Sequence, residues 1–240
     1  LLVSLCLWTL TVFPLVKEDT IFQSDYLLIL NTYTSDAPWS NAIISPVLQW
    51  LNMERKTEVY VENMNMLMID DSLKLADLKT NIFAKYGKKK PKAVLLLGNS
   101  MMLFRNEMRE AWGDVPLILC GEESYMGPDD CYIKKYPVVP SEQVPLTNFT
   151  EEYNLTLLQT RVFIEENVKL LQHMIPGMKK IILIGDGRYV NQQLNVDMKQ
   201  LLQKAYPELE YDFYSAANMT TDSLLLKLNK VGSATTGELL

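Results

Sequence analysis

At 240 residues with 48% hydrophobic content, the chain is long enough for one large domain or two lobes around a buried core, which excludes disorder as its default state. A formal net charge of -6 and a pI near 5.0 lack the basic face of proteins that grip phosphate backbones, so no nucleic-acid partner is expected. No CxxC pair or Cys/His spacing is present, so no zinc site is expected either.

The first sixteen residues, LLVSLCLWTLTVFPLV, carry no charge and run into Lys17, Glu18 and Asp19. That is the apolar region of an export signal or, with more apolar residues upstream, of a signal anchor held in the membrane; we expect residues 1–20 to be one of the two. Leu5 before Cys6 is too bulky for a lipobox, so lipidation is rejected. Export would place Cys120 and Cys131 in an oxidising compartment, where a disulfide and a plain buried thiol at Cys120 are equally good expectations.

Past the leader, strand and helix patterns alternate. The run Tyr26 to Leu30 is apolar without alternation, which suits a parallel strand covered on both faces. A polar and aromatic loop, Asn31 to Pro38, leads to a helix from Trp39 to Met53 whose Ile43, Ile44, Val47, Leu48 and Leu51 share one face; Pro46 should bend it. Thr57 to Glu62 reads as a second strand, and Asp70 or Asp71 caps a helix that stops at Gly87. Ala93 to Leu97 is a third strand, Ser100 caps a short helix to Trp112, and Val115 to Cys120 is a fourth strand. Residues 21–122 then form a first α/β lobe with right-handed crossovers.

From Gly121 to Thr150 the periodicity fails, and we read 123–156 as a crossover segment. A helix from Leu157 to Met174, a strand from Lys180 to Ile184, a helix from Tyr189 to Ala205, a strand from Leu209 to Tyr214 and a helix from Thr221 or Asp222 to Val231 follow. Two strands are too few for a sheet of ordinary size, so residues 157–240 read as a second lobe cut short. The expected fold class is α/β, two-lobed, with parallel sheets flanked by helices.

In open α/β sheets ligands bind outside the carboxyl ends of the strands. Those ends fall at Thr32/Tyr33, Glu62/Asn63, Gly98/Asn99, Gly121/Glu122 and Gly185/Asp186, all polar, small or aromatic, as a cleft lined with hydrogen-bonding groups requires. Support for catalysis is thin. His173 is the only histidine and sits near a helix C-terminus, no GxSxG elbow exists, and the pairs Glu122/Glu123 and Asp129/Asp130 read as solvated or ligand-facing. Gly185-Asp186-Gly187 lacks the GxGxxG of a dinucleotide turn, so no cofactor is expected. Met64, Met66 and Met68 read as core filler and not as a copper site.

The segments LLILNTYTSDAPWSNAIISPVLQWL, VYVENMNM, KYGKKKPKAVLLLGNSMMLF, VPLILCGEESY and NLTLLQTRVFIEENVKLLQHMIPGMKKIILIGDG, in that order, resemble the substrate-binding-protein-like sensor domains of bacterial two-component histidine kinases, hybrid kinases included. Those domains are similar to type I periplasmic binding proteins and to the solute-binding family of ABC transporters. The resemblance spans nearly all of residues 25–240 and implies two hinged lobes with a ligand between them and closure relayed across the membrane. It implies aromatic contacts from Tyr33 and Trp39, polar contacts from Glu62, Asn99, Ser100 and Glu122 of the first lobe, and one from Asp186 of the second. It also implies a periplasmic domain tethered to the inner membrane, acting as a dimer.

The expectation is therefore a non-enzymatic sensor of a small molecule; a sugar, an amino acid and a heterocycle suit the site equally. The alternatives are a free solute-binding component of an ABC transporter and, in a different class, a two-lobed α/β enzyme such as a glycosyltransferase. The export signal and the lack of a phosphate loop count against the enzyme.

Overall fold

A computed structural model describes residues 26–54 and 57–234; the expected signal segment, residues 1–20, lies outside the described residues. The chain runs β1 (Tyr26–Asn31), α1 (Pro38–Glu54), β2 (Glu58–Asn63), α2 (Ser72–Tyr86), β3 (Ala93–Leu97), a 3-10 turn (Asn99–Phe104), α3 (Arg105–Trp112) and β4 (Leu117–Gly121). Then follow β5 (Tyr125–Met126), α4 (Asp129–Lys134), β6 (Val144–Pro145), β7 (Leu155–Gln159), α5 (Ile164–Met174), β8 (Lys180–Gly185), α6 (Tyr189–Ala205), β9 (Glu210–Ser215) and α7 (Thr221–Ala234).

Five strands form one sheet in the order β2-β1-β3-β4-β7, all parallel. Because side chains alternate across a strand, the apolar runs feed two faces at once. Leu28, Leu30, Val94, Leu96, Leu117 and Leu119 point into the larger core with Leu75 and Ile82 of α2 and Met108 and Trp112 of α3. Ile29, Leu95, Leu97 and Cys120 point the other way, against Ile44 of α1 and its neighbours Ile43, Val47 and Leu48. Double coverage is why β1 and β3 carry no polar alternation. The α/β class with a parallel sheet flanked by helices is the observed architecture.

The second unit is smaller. Strands β8 and β9 pair in parallel, and Ile181 packs with Val168 of α5, Met198 and Leu202 of α6, and Leu209. A two-residue antiparallel bridge, β5 to β6, ties down the intervening segment.

Two local expectations are corrected, and one left open is decided. Leu155–Gln159 is strand and not the start of a helix, because pairing with β4 from Leu117↔Leu155 to Gly121↔Gln159 satisfies its backbone and overrides the helical pattern of LTLLQ. The fifth strand of the large sheet thus starts inside the segment read as a crossover and takes up the residues read as the start of the second lobe. Ser100 caps no helix; it is buried in the 3-10 turn, and α3 begins only at Arg105. Cys120 and Cys131 are both free, buried thiols. Elsewhere Asp71 caps α2, accepting from the Lys74 backbone N–H at 2.8 Å. No helix among the described residues is long and apolar enough to cross a membrane.

Candidate functional site

The chain leaves the carboxyl ends of β1, β3, β4 and β8 in loops that converge on one cavity of about 340 Å³. Thr32 to Trp39 comes from β1, Gly98 to Ser100 from β3, Glu122 and Glu123 from β4, and Asp186 with Arg188 to Val190 from β8. The large sheet and the smaller unit therefore both contribute walls. Asn65 to Leu67 after β2, and Tyr132 and Lys135 at α4, complete the lining.

Backbone pairing extends past the strand ends and fixes the floor. Thr32 N–H donates to the Leu97 carbonyl at 3.0 Å, Gly98 N–H to the Cys120 carbonyl at 2.8 Å and Met66 N–H to the Thr32 carbonyl at 2.9 Å. The fully buried Asn31 turns the chain: its amide nitrogen donates to Asn63 Oδ1 at 2.8 Å, and its Oδ1 accepts from Tyr33 N–H at 3.2 Å. Thr32 Oγ1 and Ser100 Oγ share a hydrogen bond of 2.9 Å, and Asn99 donates to the carbonyls of Glu123 at 3.0 Å and Tyr125 at 3.2 Å. Gly98 makes this closeness feasible, with φ +94 and with Thr32 Oγ1 only 2.6 Å from where a Cβ would stand. Gly98→Ala should cost about 2 to 3 kcal/mol through backbone strain alone, read as a shift of the urea midpoint with unchanged slope.

Aromatic rings form one wall. Tyr33 and Trp39 meet edge to face with centroids 5.7 Å apart, and Tyr132 packs on Tyr189 at 4.5 Å. The Arg188 guanidinium lies 5.1 Å from the Tyr33 ring centroid while its Nε donates to Asp186 Oδ2 at 2.6 Å. Asp186 Oδ1 accepts from the Arg188 backbone N–H at 2.9 Å and from Asn191 at 2.6 Å, so this carboxylate braces the turn into α6. Burial pushes the Tyr33 hydroxyl well above the ordinary tyrosine range, with the charge of Glu122 adding to it. Burial also raises Glu122, which Arg188 partly offsets, and lifts Glu123 to about 7, with the charge of Glu122 adding to the burial.

Six of the seven residues singled out from the sequence share this cavity: Tyr33, Trp39, Asn99, Ser100, Glu122 and Asp186. Glu62 does not. It ends the edge strand β2, and its Oε1 accepts from Lys85 Nζ and from the Tyr86 hydroxyl, both at 2.5 Å, on the side of α2. The rule that strand ends face the ligand fails there because β2 lies at the sheet edge, where α2 captures the side chain. Arg188, Glu123, Tyr132, Lys135 and Tyr189 line the cavity without having been singled out as contacts. Arg188 and Glu123 are within two residues of strand-end positions, so a wider window at those ends would have found them. Tyr132 and Lys135 come from a segment with no periodicity to place it.

The order of the large sheet, the second parallel pair and the cleft between them decide the fold comparison. The chain has the fold of the type I periplasmic-binding-protein-like proteins. A protein provisionally described as a LacI transcriptional regulator from Bacteroides fragilis superposes with a TM-score of 0.52 at 10% identity, covering 87% of this chain and 65% of that one. An ABC transporter periplasmic solute binding protein from Actinobacillus succinogenes, solved with D-allose, gives 0.48 at 14% identity over 88% of this chain and 65% of that one. A ligand-free, open substrate binding protein with adhesive properties from Clostridium difficile gives 0.48 at 13% identity over 89% and 62%. The chain thus spans about two thirds of the length of these proteins, and the likeness concerns the fold alone. No protein-family model matches the sequence, and no curated protein matches it.

Proposed function

We propose that the chain is the extracytoplasmic ligand-sensing domain of a two-component sensor histidine kinase, holding a small molecule between its two α/β units and signalling through their relative closure. The observation that carries this reading is the cavity itself: residues from the ends of four parallel strands, drawn from both sheets, line one space of about 340 Å³. A ligand touching both walls binds the closed form better than the open one, and that differential affinity is what shifts the equilibrium between them. The kinase context rests on the sequence resemblance and the charge-free leader. The chemistry of the wall favours binding over turnover, since Asp186 and Arg188 are committed to each other and to the start of α6.

A free solute-binding component of an ABC transporter would use the same cleft, and the reading frame beyond residue 240 separates the two: kinase motifs support the sensor, a stop codon the transporter component. Binding is tested by a thermal-shift screen of sugars, amino acids, heterocycles and nucleotides. A ligand at about 100 times its dissociation constant should add about 2.7 kcal/mol of stability. A nucleotide hit accompanied by turnover would instead favour a two-lobed enzyme.

A further inference from the structure

The charges around Glu122 and Glu123 do not balance. Six ionisable acids and bases line the main cavity: Asp36, Glu122, Glu123, Asp186, Lys135 and Arg188. Both cations are engaged. Arg188 is paired with Asp186, and Lys135 Nζ donates to the carbonyls of Ile69 at 2.5 Å and Ile133 at 2.9 Å. Neither Glu122 nor Glu123 forms an ion pair within the described residues, and the charged neighbours acting on Glu123 are themselves acidic, Glu122 and Asp197. The adjoining cavity of about 480 Å³, which Glu122, Glu123 and Val190 also line, adds Asp197 and Arg161, and Arg161 is paired with Glu166.

Two partly buried carboxylates, neither of them ion-paired and with Arg188, the cation acting on Glu122, already paired with Asp186, carry a desolvation cost that a positive ligand would relieve. The surroundings decide what kind of cation. Among the described residues no three His, Cys, Asp or Glu side chains converge. Four aromatic residues, Tyr33, Trp39, Tyr132 and Tyr189, line the cavity, and the Tyr189 hydroxyl is a buried polar atom without a hydrogen-bond partner among the described residues. Ring faces attract organic cations, and an ammonium offers three donors to acceptors of this kind.

We infer that the ligand of the cleft presents a protonated amine to Glu122 and Glu123, with its apolar body against the tyrosine and tryptophan rings. This rests on the ligand-binding reading above and narrows its chemical class from sugar, amino acid or heterocycle to amine-bearing molecules. Arg188, which lines the same cavity with its guanidinium 5.1 Å from the Tyr33 ring, marks the end of the cleft less suited to the amine.

Isothermal calorimetry tests it with three matched pairs: tyramine against tyrosol, D-glucosamine against D-glucose, and putrescine against 1,4-butanediol. At least one amine should bind at least tenfold tighter than its hydroxyl counterpart, should release protons on binding at pH 6, and should lose at least tenfold in affinity in the E122Q/E123Q double variant. Melting of the variant by circular dichroism, expected at or above the wild-type temperature, separates lost binding from lost folding. A neutral member binding as tightly as its amine, an amine unaffected by the double substitution, or no binding by any of the three amines would overturn the inference. The first two outcomes leave the ligand cleft standing, whereas failure of all six probes together with an empty thermal-shift screen removes that reading as well.

Discussion

Glu123→Gln is expected to stabilise the protein above pH 7 by as much as about 3 kcal/mol and to flatten its stability across the interval from pH 4.5 to 7. Burial, then the negative charge of Glu122, lift this carboxyl from its ordinary 4.5 to about 7. The folded chain therefore holds a proton that the unfolded chain has already released, so stability falls as pH rises through that window. Below it both states are protonated and the penalty vanishes; above it the penalty is complete. At about 1.4 kcal/mol for each pKa unit, a displacement of that size yields the figure given. Glu122 and Asp197, also raised by burial, act in the same direction. Asp70 and Glu165, whose carboxyls are held low by Lys74 and Lys169, lose their contribution only at more acidic pH and leave the window clear. Urea unfolding at pH 5, 6, 7 and 8 checks it: wild type should weaken steadily, and the variant, which keeps Glu122 and Asp197, should weaken with a distinctly smaller slope. A variant less stable than wild type at pH 8 would show that the charge is stabilising where it stands. A wall that costs stability when empty is what a binding site maintained for function looks like.

Leu96→Ala should destabilise by about 2 to 5 kcal/mol, enough to unfold a marginal domain at physiological temperature. Leu96 is fully buried in β3, the central strand, in register with Leu30 on one side and Leu119 on the other. Truncation leaves a cavity between strands whose backbones are tied on both edges, so little collapse is available to refill it. The same truncation at Leu226 of α7, 62% exposed, should change stability by less than about 0.5 kcal/mol. The pair is read by chemical denaturation of both variants; comparable losses would mean that α7 carries a core contact. Because β3 runs directly into Gly98, Asn99 and Ser100, the loss at Leu96 should loosen the cavity floor along with the sheet.

How much could be read from residues alone follows from how local each cause is. Strands β1 and β3 were legible because double coverage demands an unbroken apolar run, and α2 because Asp71 supplies its own cap. Leu155–Gln159 was not, since what makes it a strand is β4, a partner that lies 38 residues earlier when Leu117 is set against Leu155. Tyr33, Trp39, Asn99, Ser100, Glu122 and Asp186 came together because parallel strands point their carboxyl ends the same way. Glu62 followed the same logic and strayed, its carboxylate taken by Lys85 and Tyr86. Asp186 lies in the cavity yet spends its oxygens on Arg188 and Asn191, a local bracing that no strand-end rule announces. The acidic imbalance at Glu122 and Glu123 is a tertiary property, because an adjacent acid pair reads as a solvated loop until its partial burial and the pairing of Arg188 with Asp186 are seen.

Hydrogen exchange with and without the tightest-binding compound from the thermal-shift screen addresses the clasp between the two units most directly. Added protection should concentrate in residues 31–39, 98–100, 121–125 and 186–190, segments of both sheets slowing together. Protection confined to one unit, or located away from these four segments, would contradict a ligand held between them.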